Sequence, residues 1–112
     1  MEITQQISSI EKNIIEAQVI EALQTCFDPE IPINIYELGL IYGVLVDNSG
    51  NVIVKMTLTT PHCPAAQSLP PEVKAKVETV SGVVSANVEI VWEPKWTPEL
   101  MSEAARLELG IY

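Results

Sequence analysis

The 112-residue sequence predicts a small α+β domain with elements in the order helix, strand, strand, helix, strand, helix. Three observations lead to this fold class. An amphipathic segment comes first, two alternating segments joined by a turn indicate a hairpin, and a second helix separates that hairpin from a third strand. We expect a single compact domain over 1–112, with a core at about 11–92 and a C-terminal helix at about 97–109.

The first helix is predicted from a capping box, in which Ser8 is the N-cap and Glu11 follows three residues later. It should continue to about Phe27 and bury a stripe at helical spacing, made of Ile15, Val19, Ala22, Leu23 and Cys26. We therefore expect Cys26 to pack as a small hydrophobic side chain in the core, in preference to a role as a metal ligand.

The hairpin is predicted from alternation over 40–47 and 51–59, with a left-handed turn position at Gly50. A second helix follows from about Pro64 to Val80, with a kink or a restart near Ser68 because Pro70 and Pro71 lie inside it. Its predicted C-cap is Gly82.

The third strand is predicted over 83–92, and it should pair parallel to the second through a right-handed β-α-β crossover. The sheet is then three-stranded and mixed. A last helix should begin at Thr97-Pro98 and end near Leu109.

The composition and net charge of the chain argue against several classes of function. The net charge of −9 disfavours nucleic-acid binding, since a phosphate backbone would be repelled, and it fits either solubility or docking onto a basic partner patch. No apolar stretch approaches the roughly 20 residues of a membrane span, so we expect no membrane association. With two cysteines and no leader-like N-terminus, a reducing, cytoplasmic setting is expected.

Cys63 is the residue on which the functional prediction centres. It stands at the turn between the second strand and the second helix, and it is followed by Pro64, a residue favoured in the first turn of a helix. Backbone N–H groups and the helix dipole favour an anion at that position. The thiol should therefore ionise readily, and a thiolate binds soft metals and attacks electrophiles.

Supporting residues are predicted on both sides of Cys63. Asp28 and Glu30 lie among prolines in an apolar loop that should pack on the core, which suggests a fixed site. Equally, Asp28 can cap a local turn while Glu30 is solvated. Thr59 and Thr60 can orient the turn or be ordinary strand and turn residues.

His62 is the only histidine, and its position next to Cys63 makes a Cys–His catalytic pair a weak interpretation. One thiolate with one or two carboxylates supplies only a transient, incomplete metal site within one subunit. A second subunit in a homodimer, or a client protein, could complete it.

Two motifs resemble a known family. They are the run from Asp28-Pro-Glu30 through Asn34, Tyr36, Leu38 and Gly39 to Tyr42, and the run Met56-Thr-Leu-Thr-Thr-Pro-His-Cys63-Pro64. Together they resemble the SufT/PaaD-like family of iron–sulfur assembly (metal–sulfur cluster biosynthetic) domains. The match covers about Ile14 to Trp92, and the tail is similar to that of stand-alone members associated with the SUF system.

The resemblance implies a compact α/β fold and an accessory role in maturing or delivering iron–sulfur clusters, not an enzymatic one. It implies functional positions at Asp28, Glu30, Thr59 and Cys63. Position 37 is often Asp in relatives and is Glu37 here, which is a mild departure. His62 inherits no role from the family.

Three hypotheses follow. In the first, Cys63 makes a transient contact to a cluster, to iron or to a client, and the partners are iron–sulfur assembly proteins and apo-client proteins. In the second, the domain is a pure adaptor that docks clients or assembly proteins without metal contact and uses Cys63 only structurally; the resemblance to PaaD-like relatives implies a further such role, assembly of a multisubunit metalloenzyme such as an oxygenase. In the third, it is a thiol-dependent enzyme, for which the sequence offers neither an evident base nor a resolving cysteine.

Overall fold

The computed structural model describes residues 8–27, 31–59 and 65–110, with the side chains of 65–67 left aside. The helices are α1 (Ser9–Leu23), α2 (Ala65–Glu78) and α3 (Glu103–Glu108), with a 3₁₀ turn at Pro98–Leu100. The strands are β1 (Ile41–Val46), β2 (Asn51–Met56) and β3 (Ser85–Ile90). The predicted α+β class and the predicted element order are confirmed.

The sheet has the order β1-β2-β3, with β2 in the centre. β1 and β2 pair antiparallel around the predicted hairpin turn, where Gly50 has a φ of +90°. β2 and β3 pair in parallel, from Asn51 with Ser85 to Met56 with Ile90. This mixed pairing is the one that a hairpin followed by a helical crossover predicts.

The core lies on the face of the sheet that α1 and α2 cover. Alternate residues of β2 are fully buried there, and they pack with apolar stripes of the two helices. These buried side chains are Val52, Val54 and Met56 of β2, Ile15, Val19 and Leu23 of α1, and Leu69, Val73 and Val77 of α2.

α1 begins as predicted and ends earlier. The Glu11 backbone N–H donates to Ser8 Oγ at 3.1 Å, and the Ser8 N–H donates to the Glu11 carboxylate at 2.8 Å, which confirms the capping box. The helix ends at Leu23 instead of Phe27. Cys26 lies beyond the helix, yet it is completely buried.

α2 runs as one helix through Pro70 and Pro71, so the predicted restart near Ser68 is wrong, and the alternative of a kink stays a prediction. Neither proline has an N–H, and two hydrogen bonds of the helix are therefore missing. Leu69, Val73 and Val77 are buried on both sides of the prolines, and this packing holds the helix together. The helix ends at Glu78, and Gly82 lies four residues later in a turn with a φ of +94°, so the predicted C-cap at Gly82 is wrong.

The C-terminal part is divided where one continuous helix was predicted. Met101 adopts an extended conformation between the 3₁₀ turn and α3, and its side chain is buried. Ser102 then starts a new helix, because its hydroxyl accepts a hydrogen bond from the Ala105 N–H at 3.1 Å. β3 is also shorter than predicted, and Trp92 lies beyond it, 43% exposed.

Among the described helices, none combines the length and the apolar character that crossing a membrane requires.

Candidate functional site

The predicted site residues divide into two groups. Glu37 and Thr59 lie in the described part of the chain. The others lie outside the described residues, namely Asp28, Glu30, Thr60, His62 and Cys63. The structure therefore describes the scaffold before and after Cys63. The roles of these five residues stay predictions.

The end of β2 is fixed on both of its edges. The Thr57 N–H donates to the Leu40 carbonyl at 2.8 Å, and the Val91 N–H donates to the Met56 carbonyl at 2.9 Å. Thr57 itself is 1% exposed. The backbone that leads toward Cys63 thus leaves the sheet from a defined point, and α2 begins at Ala65, two residues after the cysteine.

Thr59 is half-buried at a bend, after the buried Leu58. Its position one step beyond the fixed strand end suits the predicted role of orienting the turn, and that role stays a prediction. Thr57 was not singled out from the sequence, although alternation along β2 places it opposite Met56 and Leu58, and it is the buried polar side chain at this point.

The loop before β1 packs on the core, as expected from its apolar composition. Ile35 and Leu38 are fully buried, and Ile33 is nearly so. Asn34 organises the turn, since its Oδ1 accepts a hydrogen bond from the Glu37 N–H at 2.9 Å and its carbonyl accepts one from the Leu38 N–H at 3.0 Å. The predicted packing is confirmed over 31–39.

Residues 94–102, the C-terminal segment, hold this loop from outside. The Trp96 indole Nε1–H donates to the Leu38 carbonyl at 2.8 Å, and the Ser102 N–H donates to the Glu37 carbonyl at 2.9 Å. The loop is thus fixed by residues more than fifty positions later in the chain. Sequence reasoning missed these contacts, and the only signal for them was a tryptophan in a polar loop.

Tyr42 adds a third link to the same segment. It lies where the register between β1 and β2 shifts, between Ile41 and Gly43. Its hydroxyl donates to the Pro94 carbonyl at 2.8 Å, and desolvation raises the pKa of the phenol. The phenol therefore stays protonated at neutral pH and keeps this hydrogen bond.

Gly39 is required where the loop and the C-terminal segment meet. Its φ of +78° lies in the left-handed region, which disfavours side chains. A Cβ at this position would also collide with the backbone carbonyl of Leu100. Glycine in the motif is thus explained by a turn and by a close backbone approach.

Cys26 is confirmed as a core residue. Its side chain is completely buried, and its Sγ–H is 3.8 Å from the Ala22 carbonyl. Burial and then the nearby Glu72 carboxylate raise the pKa of this thiol, so it stays protonated and is a poor metal ligand. Within 8–27, 31–59 and 65–110, no three His, Cys, Asp or Glu side chains are grouped to hold a metal ion.

Comparison with known proteins supports the family that the motifs suggested. The family model described as iron–sulfur cluster assembly protein matches residues 16–90. The chain is 50% identical over 95 residues to an Fe-S protein maturation auxiliary factor of Porphyromonas gingivalis, covering 85% of this chain and 90% of the relative. It is 40% identical over 84 residues to the Fe-S protein maturation auxiliary factor SufT of Staphylococcus aureus, covering 75% and 96%.

The fold leads to the same group. The crystal structure of a domain of unknown function from Bacillus anthracis superposes with a TM-score of 0.87 at 34% identity, covering 94% of this chain and 100% of that one. The family model covers the chain from within α1 to the end of β3 and stops before the C-terminal segment. The chain therefore belongs to the iron–sulfur cluster assembly protein family.

Proposed function

We propose that this protein is an accessory factor in the assembly, maturation or delivery of iron–sulfur clusters to client proteins, and not an enzyme. The observation that carries the proposal is the fixed strand end before Cys63. Thr57 is hydrogen-bonded to Leu40 on one side of this strand end and Met56 to Val91 on the other, and α2 starts two residues after the cysteine. Two relatives that align with this chain over 90% and 96% of their own lengths are named maturation auxiliary factors, which supports the same role.

In this proposal the cluster, or iron, is cargo. Thiolates are the usual protein ligands of iron–sulfur clusters. Of the two thiols, Cys26 is buried and protonated, so Cys63 is the candidate contact. A single thiolate cannot close a cluster site, and a transient contact suits a factor that must release its cargo. Asp28, Glu30, Thr59 and Thr60 are the proposed supporting residues.

The proposed partners are iron–sulfur assembly proteins and apo-client proteins. With six Lys and Arg against fifteen Asp and Glu, the chain favours a partner with a basic surface. A homodimer would bring two Cys63 thiols into one assembly. A reducing compartment keeps thiols free, so the proposal sets this work in the cytoplasm.

Complementation tests the accessory role. In a strain that lacks the gene, the wild-type protein should restore growth under conditions that require iron–sulfur enzymes. Cys63→Ser should fail while remaining folded by circular dichroism. Cys26→Ala is the matched control, because it removes the other thiol from the core, and it should complement. Normal growth with Cys63→Ser would contradict the proposed role of that residue.

A pure adaptor without metal contact is the second candidate, and the strongly acidic composition favours it. Anaerobic reconstitution with iron and sulfide separates the two candidates. A visible absorption band that is present in the wild type and lost in Cys63→Ser supports cluster contact. No band in either protein, combined with wild-type complementation by Cys63→Ser, supports the adaptor.

The remaining alternative, a thiol-dependent enzyme, is tested by the pKa of Cys63. Rates of alkylation measured against pH in Cys26→Ala report this value directly. A nucleophilic enzyme requires a depressed pKa together with turnover of a thiol-reactive substrate. A pKa at or above the ordinary value for cysteine removes this alternative.

A further inference from the structure

A surface groove of about 400 Å³ lies between α3 on one side and Phe27 and residues 32–37 on the other. Its volume is within the roughly 300–1,000 Å³ typical of ligand sites. Both sides are rigidly placed, because Phe27 forms a β-bridge with Asn34 and the Glu37 carbonyl accepts from the Ser102 N–H next to α3. The groove is thus a formed feature of the fold.

The floor of the groove is apolar. Ile33 and Ala105 are buried beneath it, and Ala104 lines it from α3. Phe27 also lines the groove, and its side chain is 46% exposed. An aromatic face left in contact with water beside an apolar floor is a surface on which a partner side chain can pack.

Two acidic residues, Glu37 and Glu108, are among those that line the groove. Among the described residues neither has a side-chain hydrogen bond or an ion pair, and the one ion pair found there joins Lys74 to Glu78. The basic residue of α3, Arg106, does not line the groove, and its Nε is buried. The groove therefore presents negative charge beside an apolar, aromatic surface.

We propose that this groove binds an arginine side chain from a basic segment of a partner protein. The aliphatic part of the side chain would pack over Ile33 and Ala105, and the guanidinium would pair with Glu37 or Glu108 against the Phe27 ring. Arginine fits better than lysine, because its planar guanidinium both stacks on aromatic rings and pairs with carboxylates in a fixed geometry.

The charge of the chain indicates a different protein, not a second copy, as the occupant. Each copy carries a net charge of −9, so the surface of a second copy offers little charge complementarity to this acidic groove, whereas a basic partner would be attracted. That the partner is an assembly or client protein rests on the proposed function. The binding mode itself requires neither Cys63 nor a cluster.

Fluorescence anisotropy with two fluorescein-labelled peptides tests the groove directly, at about 50 and about 150 mM salt, because exposed charge pairs are screened more strongly at the higher salt concentration. The first is Gly-Leu-Arg-Ala-Leu-Arg-Gly. The second replaces both arginines with citrulline, which keeps the shape and removes the charge. The wild-type protein and Cys63→Ser should bind the arginine peptide equally, and both should bind the citrulline peptide about tenfold more weakly.

Variants locate that binding. Glu37→Gln combined with Glu108→Gln should weaken binding of the arginine peptide about tenfold. The matched control combines Glu16→Gln with Glu89→Gln, which changes the net charge equally at exposed positions outside the groove, and it should stay within about twofold. If the two double variants weakened binding equally, the effect would come from net charge and not from the groove, and the proposal would be overturned.

Ala104→Arg supplies a second test, because it places a guanidinium of the protein's own at the groove while keeping a good helix former at an exposed position. It should prevent binding of the arginine peptide. Amide shifts in ¹⁵N spectra of the wild type should change on titration at Asn34, Glu37 and Ala105. Shifts confined to other surfaces, or unchanged binding by Ala104→Arg, would overturn the proposal and would leave the accessory role to its own test in the deletion strain.

Discussion

The two ends of the β1–β2 hairpin are held in different ways. At the turn, the Asp47 carboxylate accepts hydrogen bonds from the Ser49 N–H and from the Asn51 N–H and side chain, all within four residues. The turn also joins β3, through the Val84 N–H and the Gly50 carbonyl at 2.8 Å. Most of what shapes this end is therefore local in sequence.

The opposite end depends on distant residues. The loop before β1 is fixed by Trp96 and Ser102 of the C-terminal segment, and Tyr42 at the start of β1 is bonded to Pro94. This is also the end from which the chain leaves β2 toward Cys63. The comparison teaches that the end proposed to carry the function is the one built by long-range contacts, so the stability of the fold should be more sensitive to substitutions there.

Gly39→Ala should have the largest effect on stability. A Cβ there would collide with the Leu100 carbonyl in addition to imposing an unfavourable left-handed backbone. We expect a loss of about 3 kcal/mol in the free energy of unfolding. Urea unfolding followed by circular dichroism measures it.

Gly110→Ala is the matched control for this substitution. Gly110 has nearly the same φ, +76° against +78°, and a Cβ there meets no atom within 4 Å among the described contacts. Gly110→Ala should lower the free energy of unfolding by about 1 kcal/mol, which is the cost of the left-handed backbone conformation without a collision. Equal losses for the two alanines would show that the contact with Leu100 contributes nothing.

Trp96→Phe should have an intermediate effect. It keeps an aromatic ring of similar packing and removes the Nε1–H that donates to the Leu38 carbonyl. We expect about 1–2 kcal/mol of destabilisation, since a partly buried acceptor loses its donor. Hydrogen exchange should also become faster at the Leu38 and Leu40 amides, because the loop opens more often.

Trp92→Phe provides the comparison for Trp96→Phe. Trp92 is 43% exposed, and the described contacts give its indole N–H no partner. Trp92→Phe should lower the free energy of unfolding by less than about 0.5 kcal/mol. If the two variants were equally destabilised, the bond from Trp96 to Leu38 would not be what holds the loop.

Asp47→Asn should have the smallest effect and should depend on pH. Hydrogen bonds from the Asn51 side chain and backbone and from Ser49 lower the pKa of Asp47 below its ordinary 3.8. A lowered folded-state pKa contributes stability that is present above the unfolded value and lost as the pH falls through the folded one. The stability difference between wild type and variant should thus be present at pH 7 and shrink below pH 3.8.

Thermal unfolding of both proteins across this pH range measures that difference. The effect should be small, since asparagine keeps one of the two acceptor oxygens. If the stability difference between wild type and Asp47→Asn grew as the pH was lowered, these hydrogen bonds would not be stabilising the carboxylate in the folded protein.

Local chemistry explains which parts of the fold could be predicted. The capping box of α1, the alternation of β2 and the left-handed Gly50 each depend on residues within a few positions, and the structure has all three. The interruption at Pro70 and Pro71 was misjudged, because burial of Val73 and Val77 overrides a local signal against helix.

Long-range contacts explain what could not be predicted. Nothing periodic in the sequence links Trp96 to Leu38, or the backbone of Leu100 to Gly39, and these contacts shape the loop. The same limit applied to Met101, whose burial in extended conformation divides the predicted last helix. Of the candidate site residues, Glu37 and Thr59 lie in the described part of the chain, and their roles stay predictions.

The most direct test of the account is the cluster content of one iron–sulfur enzyme purified from the deletion strain. Iron and acid-labile sulfide should be near full occupancy when the strain carries the wild-type protein or Cys26→Ala. They should fall to the level of the empty-vector strain with Cys63→Ser. Full occupancy with Cys63→Ser, expressed at wild-type levels, would contradict the claim that this thiol serves cluster maturation.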